Sequence, residues 1–413
     1  MAIFIARALG ACLCLLVCAS AQAGSDLTLA EALRLTLERN PELRSAGFTL
    51  TAAKARVEQA GQRPATALAL DLENFAGNGD HRGSDALEST LSLSRVIEIG
   101  DKRRWRLSLA DADMALAQTE LRGRQLDLLA QVTRRFIDVA TAQRKLEVAR
   151  ENSRLAQESL EAITRRVAAA RSPVAEQSRA RIAVVRARIH LADLESTLRG
   201  ASHALAATLG DAEPRFDSVR ADLFDLAELP PASALIAGLE RNPEIARALG
   251  EARLREAEWR LAQAQSHADL AVSLGVRRFE ETGDVALVAG VSLPLGSGRR
   301  GASLVAEADA HRSRSAAERD AAELNARATL LAVYHEMSAA RVRALSLHAE
   351  ALPLARDALA QTVAGHERGR FSFLELASAR QEMLDIELAA IDAAADYHRL
   401  RAELERLTGE PAP

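Results

Sequence analysis

Leu37-Glu-Arg-Asn-Pro-Glu42 recurs letter for letter as Leu239-Glu-Arg-Asn-Pro-Glu244, 202 residues further along a chain of 413. An internal repeat governs the whole architecture, so it has to be sought before any fold is assigned. A six-residue match gains weight when its flanks follow, and they do. Leu68-Ala-Leu-Asp-Leu72 faces Leu270-Ala-Val-Ser-Leu274, and Ser92-Leu93-Ser94 faces Ser292-Leu293-Pro294. Ser172 faces Ser372, and Thr208-Leu-Gly210 faces Leu407-Thr-Gly409. Each half reads in the same order: a short helix, two alternating strands, a very long helix, a second helix. The chain is one structure made of two intertwined halves.

Composition agrees with long helices. The chain is 48% apolar and 27% charged, with 3% aromatic residues and a net charge of -4. Abundant Ala, Leu, Arg and Glu with few aromatics is unlike a compact enzyme core. The mild acidity and the lack of a long basic run give no nucleic-acid partner. Residues 1–23 read as a secretory signal peptide: Arg7, an apolar stretch over Ala8–Ala19, and Ala21-Gln-Ala23 as the cleavage site before Gly24. The apolar stretch is too short to span a bilayer as a helix. Cys12, Cys14 and Cys18 all fall inside it, so the mature chain is expected to hold no thiol or disulfide.

The first repeat is expected over 24–210. Leu29, Leu33 and Leu37 mark an amphipathic helix over Leu27–Arg39, and Asn40-Pro41 caps and restarts a helix running to about Gln62. A strand hairpin follows over 67–94. In it Leu68, Leu70 and Leu72 alternate with Ala69, Asp71 and Glu73, and Leu91 and Leu93 alternate with Ser92 and Ser94. A proline-free helix spans 102–171, and a further helix spans 173–209. A connector, 211–234, carries Pro214, Pro230 and Pro231. The second repeat, 235–413, gives a helix, a hairpin over 268–294, a long helix over 300–369 interrupted only by Pro353, and a helix over 373–408. Each long helix would be roughly 105 Å at ~1.5 Å per residue. Leu129, Val132, Phe136 and Val139, like Leu374, Ala377, Gln381 and Leu384, follow coiled-coil spacing.

The strands have the length and alternation of an outer-membrane barrel wall. A half-buried soluble sheet gives the same alternation, but the export signal and the absence of other strands to pair with favour the membrane. Four strands cannot close a barrel, since small single-chain barrels need about eight. An open edge in lipid leaves backbone groups unsatisfied. Several chains must therefore share one wall.

Taken together, these residues resemble the TolC-like outer-membrane efflux family across nearly the whole mature chain. The resemblance implies a mainly α fold with a small membrane β part. In it, a trimeric helical tube is continuous with a shared twelve-stranded barrel, four strands per chain and two structural repeats. Leu91-Ser-Leu-Ser-Arg-Val-Ile-Glu-Ile-Gly-Asp-Lys-Arg-Arg104 is similar to the strand-to-helix junction of the CzcC-type heavy-metal efflux branch. Glu98, Gly100, Lys102 and Arg103 match that branch, which has Gln where this chain has Arg95. The implied setting is the outer membrane of a Gram-negative bacterium, with a long periplasmic part. The implied partners are two further copies in a homotrimer, a periplasmic membrane-fusion adaptor, an inner-membrane RND-type pump and outer-membrane lipid. The implied role is a passive exit duct, with no enzyme activity, no cofactor and no resident metal.

The residues themselves offer little chemistry. The nine histidines are scattered, and His335-Glu336 alone does not make a metal site. Gly296-Ser-Gly-Arg-Arg-Gly301 is a strand-to-helix junction rather than a phosphate loop. The helical tips are the expected adaptor-docking points: Arg171 and Ser172 in the first half, Gly369, Arg370, Phe371 and Ser372 in the second. Phe373 is expected to add an apolar contact there. Ser172 before Pro173 and Ser372 with Glu375 read as helix caps. Glu375, Glu382 and Asp385 are candidates for an acidic ring in the pore, because threefold symmetry triples any inward carboxylate and such rings attract cations. For any single one of them, a solvated helix face is the better explanation. Multidrug efflux and type I protein secretion compete with metal efflux, and a periplasmic coiled-coil adaptor or scaffold is the alternative class. The adaptor and scaffold readings leave the duplicated strand hairpins unexplained.

Overall fold

The computed structural model describes residues 26–409. The expected leader, with its three cysteines, lies outside the described residues. The elements run, in order, β1 (Asp26–Leu27), α1 (Leu29–Arg39), α2 (Pro41–Ala60), β2 (Ala67–Glu73), β3 (Glu88–Ile97), α3 (Lys102–Ala168) and α4 (Val174–Leu209). Then come β4 (Ser218–Val219), α5 (Ala232–Gly238), α6 (Pro243–Gln265), β5 (Leu270–Phe279), β6 (Val285–Ser292), α7 (Ser297–Leu345), α8 (Leu352–Glu367) and α9 (Phe373–Thr408). Among the described residues no helix is long and apolar enough to cross a membrane.

The repeat is visible in the element order. The two Asn-Pro steps work as caps: Asn40 Oδ1 accepts from the Glu42 N–H at 2.8 Å, and Asn242 Oδ1 accepts from the Glu244 and Ile245 N–H groups. The proline in the first turn after each needs no donor partner, which is why the chain can restart a helix there.

The chain divides into two units, and each draws on both repeats. Among the described residues, one holds 26–38, 132–226 and 341–398; the other holds 39–131, 227–340 and 399–409. In the first, α4 packs on the second half of α3 through Leu146, Ala149 and Leu194. Arg144 and Lys145 of α3 pair with Glu387 and Asp392 of α9 at 3.5 and 2.6 Å. The connector is no bare tether. Val219, Leu223 and Leu226 are buried, β4 runs parallel to β1, and the Phe224 ring stacks on His348 at 3.8 Å. Leu27, expected to open a helix, is instead in β1. Its pairing with Val219 lies beyond the reach of local periodicity.

The second unit holds a four-stranded antiparallel sheet in the order β2-β3-β5-β6, so the two hairpins join through β3 and β5. Leu93 stands opposite Leu68 on one side and Leu274 on the other. In the same unit, Arg56 of α2 pairs with Asp113 of α3 at 2.7 Å, and Arg312 of α7 lies over the Trp259 ring of α6 at 4.3 Å.

The long helices differ from expectation in one respect. α3 is continuous over 67 residues. Its counterpart begins at Ser297 rather than at 300 and is interrupted by a π-helical turn over Ser346–Ala351. Pro353 follows in the first turn of α8. Within a regular helix a proline ring collides with the carbonyl four residues back and leaves it without a donor. A wider turn just before it accommodates both effects.

Candidate functional site

Three places carry the chemistry: the sheet, the strand-to-helix junction and the helical turns.

The sheet has two unlike faces. Register puts Leu68, Leu70, Leu91, Leu93, Leu274 and Leu287 on one side. All are bare, from 52% exposure at Leu91 to 80% at Leu287. An apolar surface of that extent marks a contact with lipid or protein. The opposite side holds Asp71, Glu73, Glu88, Thr90 and Ser92, together with Arg277. The Arg277 guanidinium donates to Thr90 Oγ1 at 2.8 Å, Glu88 Oε2 at 2.7 Å and Glu73 Oε2 at 2.8 Å, tying three strands together. Asn74 donates to the other Glu88 oxygen at 2.9 Å. No sequence signal links Arg277 to carboxylates some 200 residues away; only the β3–β5 pairing does.

The junction after β3 explains the motif read there. Lys102 Nζ lies 2.7 Å from Asp269, just before β5, and the same carboxylate accepts the Ile99 N–H at 3.1 Å. Arg106 pairs with Glu98, and Arg103 donates to the Gly61 carbonyl at 2.6 Å. The Glu98 hydrogen bond raises the Arg106 pKa above its ordinary value. Gly100 has φ +84°, and a Cβ on it would meet the His267 ring at 3.1 Å. Glycine is needed there on both counts. The matched residues therefore fasten strand, helix and neighbouring hairpin to one another.

At the turns the expected residues are partly brought together. Arg171 and Gly369 line one groove of about 750 Å³ with Arg165, Arg166, Arg368 and Arg380. Beneath it lies an apolar core of Ile163, Ala180, Phe373 and Leu376. Arg166 donates to His366 Nε2 at 3.3 Å, and His366 Nδ1 donates to the Phe371 carbonyl at 2.9 Å, which fixes the second turn to the first helix. Arg380 donates to Ser159 Oγ, and burial pushes its guanidinium pKa down. Arg166, His366 and Arg380 carry no motif that reveals them in the sequence.

Two expectations need correction. Ser172 is not the cap of α4. Pro173, at φ -65° and ψ 147°, takes the cap position with no side-chain bond, and the helix starts at Val174. Proline's fixed φ suits an extended residue as well as a first helical one, so the sequence leaves that one-residue choice open. Phe373 is 4% exposed and belongs to the core, whereas Phe371 is 41% exposed and lies over Gly365. The acidic candidates lie apart along the first turns of α9. Glu375 is engaged in the capping box: the Ser372 N–H donates to Glu375 Oε2 at 2.6 Å and the Glu375 N–H donates to Ser372 Oγ at 3.3 Å. That backbone donor, then the hydroxyl, hold its carboxyl below the ordinary value. Asp385 accepts from Gln381 at 2.8 Å and lines a separate groove against α4, and Glu382 is exposed. Among the described residues no three His, Cys, Asp or Glu converge to hold a metal ion.

Comparison with known proteins places this geometry. A family model described as "Outer membrane efflux protein" matches residues 32–211 and 237–410. The cobalt-zinc-cadmium resistance protein CzcC of Cupriavidus metallidurans is 28% identical over 388 residues, covering 94% of this chain and 91% of that protein. Among solved structures, CusC superposes with a TM-score of 0.79 at 16% identity, covering 94% of this chain and 93% of CusC. VceC of Vibrio cholerae gives 0.76 at 19% identity, with 92% and 96% covered. At such identities the superpositions establish the fold.

Proposed function

The chain belongs to the outer membrane efflux protein family, and from that premise we propose that it is the exit duct of a tripartite efflux system for heavy-metal cations. It is an outer-membrane channel of a Gram-negative bacterium with a long periplasmic helical part, and not an enzyme. The observation that carries the channel reading is the sheet: one face of exposed Leu and Val with Arg95 and Arg278 near the strand ends, the other of carboxylates, hydroxyls and the Arg277 ion pairs. A membrane barrel wall needs that division, apolar towards lipid and polar towards the lumen. Both outer strands, β2 and β6, have unpaired edges within one chain, so three copies sharing a twelve-stranded barrel satisfy the backbone groups that one copy leaves open. Adaptor and inner-membrane pump supply the delivery and the energy.

The metal cargo rests on the likeness to the cobalt-zinc-cadmium resistance protein over nearly the whole chain and on the Glu98, Gly100, Lys102 and Arg103 junction. The turns at Arg171 and at Gly369–Ser372 are the adaptor-docking points, where a cationic groove over an apolar core suits a helical turn of a partner. The deciding experiment is growth of a deletion strain on zinc, cadmium, cobalt and copper, and on dyes and antibiotics. Sensitivity to metal salts, restored by the gene, is the expected result. Sensitivity confined to dyes and antibiotics would transfer the chain to multidrug efflux.

A further inference from the structure

The ion pairs at the strand-to-helix junction leave three arginines over. Lys102 is held by Asp269, Arg106 by Glu98, and Arg103 by the Gly61 carbonyl. Arg63 lies in the link between α2 and β2, Arg95 near the end of β3, and Arg104 in the first turn of α3. None of the three has a carboxylate partner among the described residues. All three line one groove of about 790 Å³ in the second unit, together with Lys102 and Arg103. The carboxylates of that groove are Glu98, already held by Arg106, and Asp101. Cations outnumber anions there five to two, and they repel one another unless a counter-charge joins them from outside the chain.

The groove begins where the lipid side of the sheet ends. Arg95 has the parity of Leu91 and Leu93, and its register partner on β5 is Val272. Val96 and Ile97, 39% and 46% exposed, line the groove with Val272 and give it an apolar wall. A long arginine stem covers apolar surface while its guanidinium reaches head-group level, and Arg95 shares the groove with Arg103 and Arg104 at the foot of the helix. Arg104 also lies over the Trp105 ring at 5.1 Å, and indoles favour the boundary between membrane and water. The helices are the periplasmic part, so this rim stands at the periplasmic leaflet of the outer membrane.

The second repeat makes the same choice of charge. The first turn of α3 holds Lys102, Arg103 and Arg104 and no acidic residue. The first turn of α7, at the matching point, holds Arg299 and Arg300 and no acidic residue. A helix dipole repels cations at that end, and an anion beside them offsets the repulsion.

We propose that the groove binds the phosphate of an anionic phospholipid from the periplasmic leaflet, with Arg63, Arg95 and Arg104 as donors and Ile97 and Val272 against its glycerol and acyl carbons. Guanidinium forks match pairs of phosphate oxygens, and the apolar wall gives a lipid a contact that free phosphate lacks. The site lies within one chain. It rests on the lipid-facing reading of the sheet and on neither the cargo nor the adaptor.

The test uses the full chain purified from outer membrane in mild detergent and followed by native mass measurement. Phosphatidylglycerol, phosphatidylcholine with the same acyl chains, and inorganic phosphate are added in turn. Phosphatidylglycerol should be retained in preference to phosphatidylcholine, and inorganic phosphate should not displace it. Each of Arg63→Gln, Arg95→Gln and Arg104→Gln should weaken phosphatidylglycerol binding about fivefold, as for one cation beside an anionic lipid. Arg278→Gln, at the other end of the same sheet face and paired with Glu280, should leave it unchanged. Added salt should weaken phosphatidylglycerol binding to the unaltered protein and leave phosphatidylcholine unaffected, which no folding defect imitates. Equal retention of both lipids, or retention unchanged when all three arginines are replaced, would overturn the site and leave the channel in its membrane. Displacement by inorganic phosphate alone would overturn the lipid assignment in favour of a free anion. Absence of the protein from the outer-membrane fraction would remove the lipid-facing reading itself.

Discussion

Asn242 is fully buried and uses both ends of its amide. Its oxygen accepts two N–H groups at the start of α6, and its Nδ2 donates to the Leu407 carbonyl at 2.8 Å. The end of α9 presses close on the same turn, because a Cβ on Gly409 would meet the Arg241 carbonyl oxygen at 2.5 Å. Asn242→Ala removes a cap and strands a buried carbonyl, at a cost of about 2–3 kcal/mol. A lower thermal unfolding midpoint of the purified protein should show it, and an unchanged midpoint would contradict the assignment. Asn242→Asp keeps the cap but turns a carboxylate on Leu407, so its midpoint should fall between the two. The cap itself was readable from Asn-Pro-Glu, since capping acts within three residues. The bond to Leu407 was not, because it spans 165 positions.

At the scale of elements, the strands carry the sharpest test. Leu70 and Asp71 are neighbours on β2 pointing to opposite faces. Leu70→Arg puts a cation on the lipid side, at about 2–4 kcal/mol near mid-bilayer, and should impair assembly. Asp71→Asn should be tolerated and at most alter conductance. A soluble sheet with a covered leucine face would also reject Leu70→Arg, so labelling has to separate the two. A membrane-impermeant maleimide should reach Ser92→Cys through the open pore but not Leu91→Cys, and a lipid-soluble quencher should show the reverse. Equal quenching at both would count against a barrel wall. The helical turns give a second test. Reversing charge with Arg171→Glu and Arg370→Glu should abolish efflux while trimers remain in the membrane; normal metal resistance in that variant would remove the docking role. The alternation of the strands was legible because a period of two is a local property. The burial of Phe373 beside the exposure of Phe371 was not, since both sit at the same helix start and only the neighbouring helices separate them.

At the scale of the molecule, a single copy leaves β2 and β6 with open edges beside a bare apolar face. An obligate trimer is the expected state, and native mass measurement in mild detergent should find three chains and no stable monomer. The sequence by itself determined the duplication, the long helices, the strand hairpins with their two faces, and the Asn-Pro and Ser372–Glu375 caps. Each of these is written in residues within a few positions of one another, where periodicity and capping chemistry operate. The tertiary structure alone decided that β3 pairs with β5, that Arg277 gathers Glu73 and Glu88, that the π-helical turn stands before Pro353, and that each unit takes segments from both repeats. Most of these join residues far apart in the chain. Their partners are selected by burial, register and charge after the chain has folded back on itself, and a local pattern holds no record of that selection.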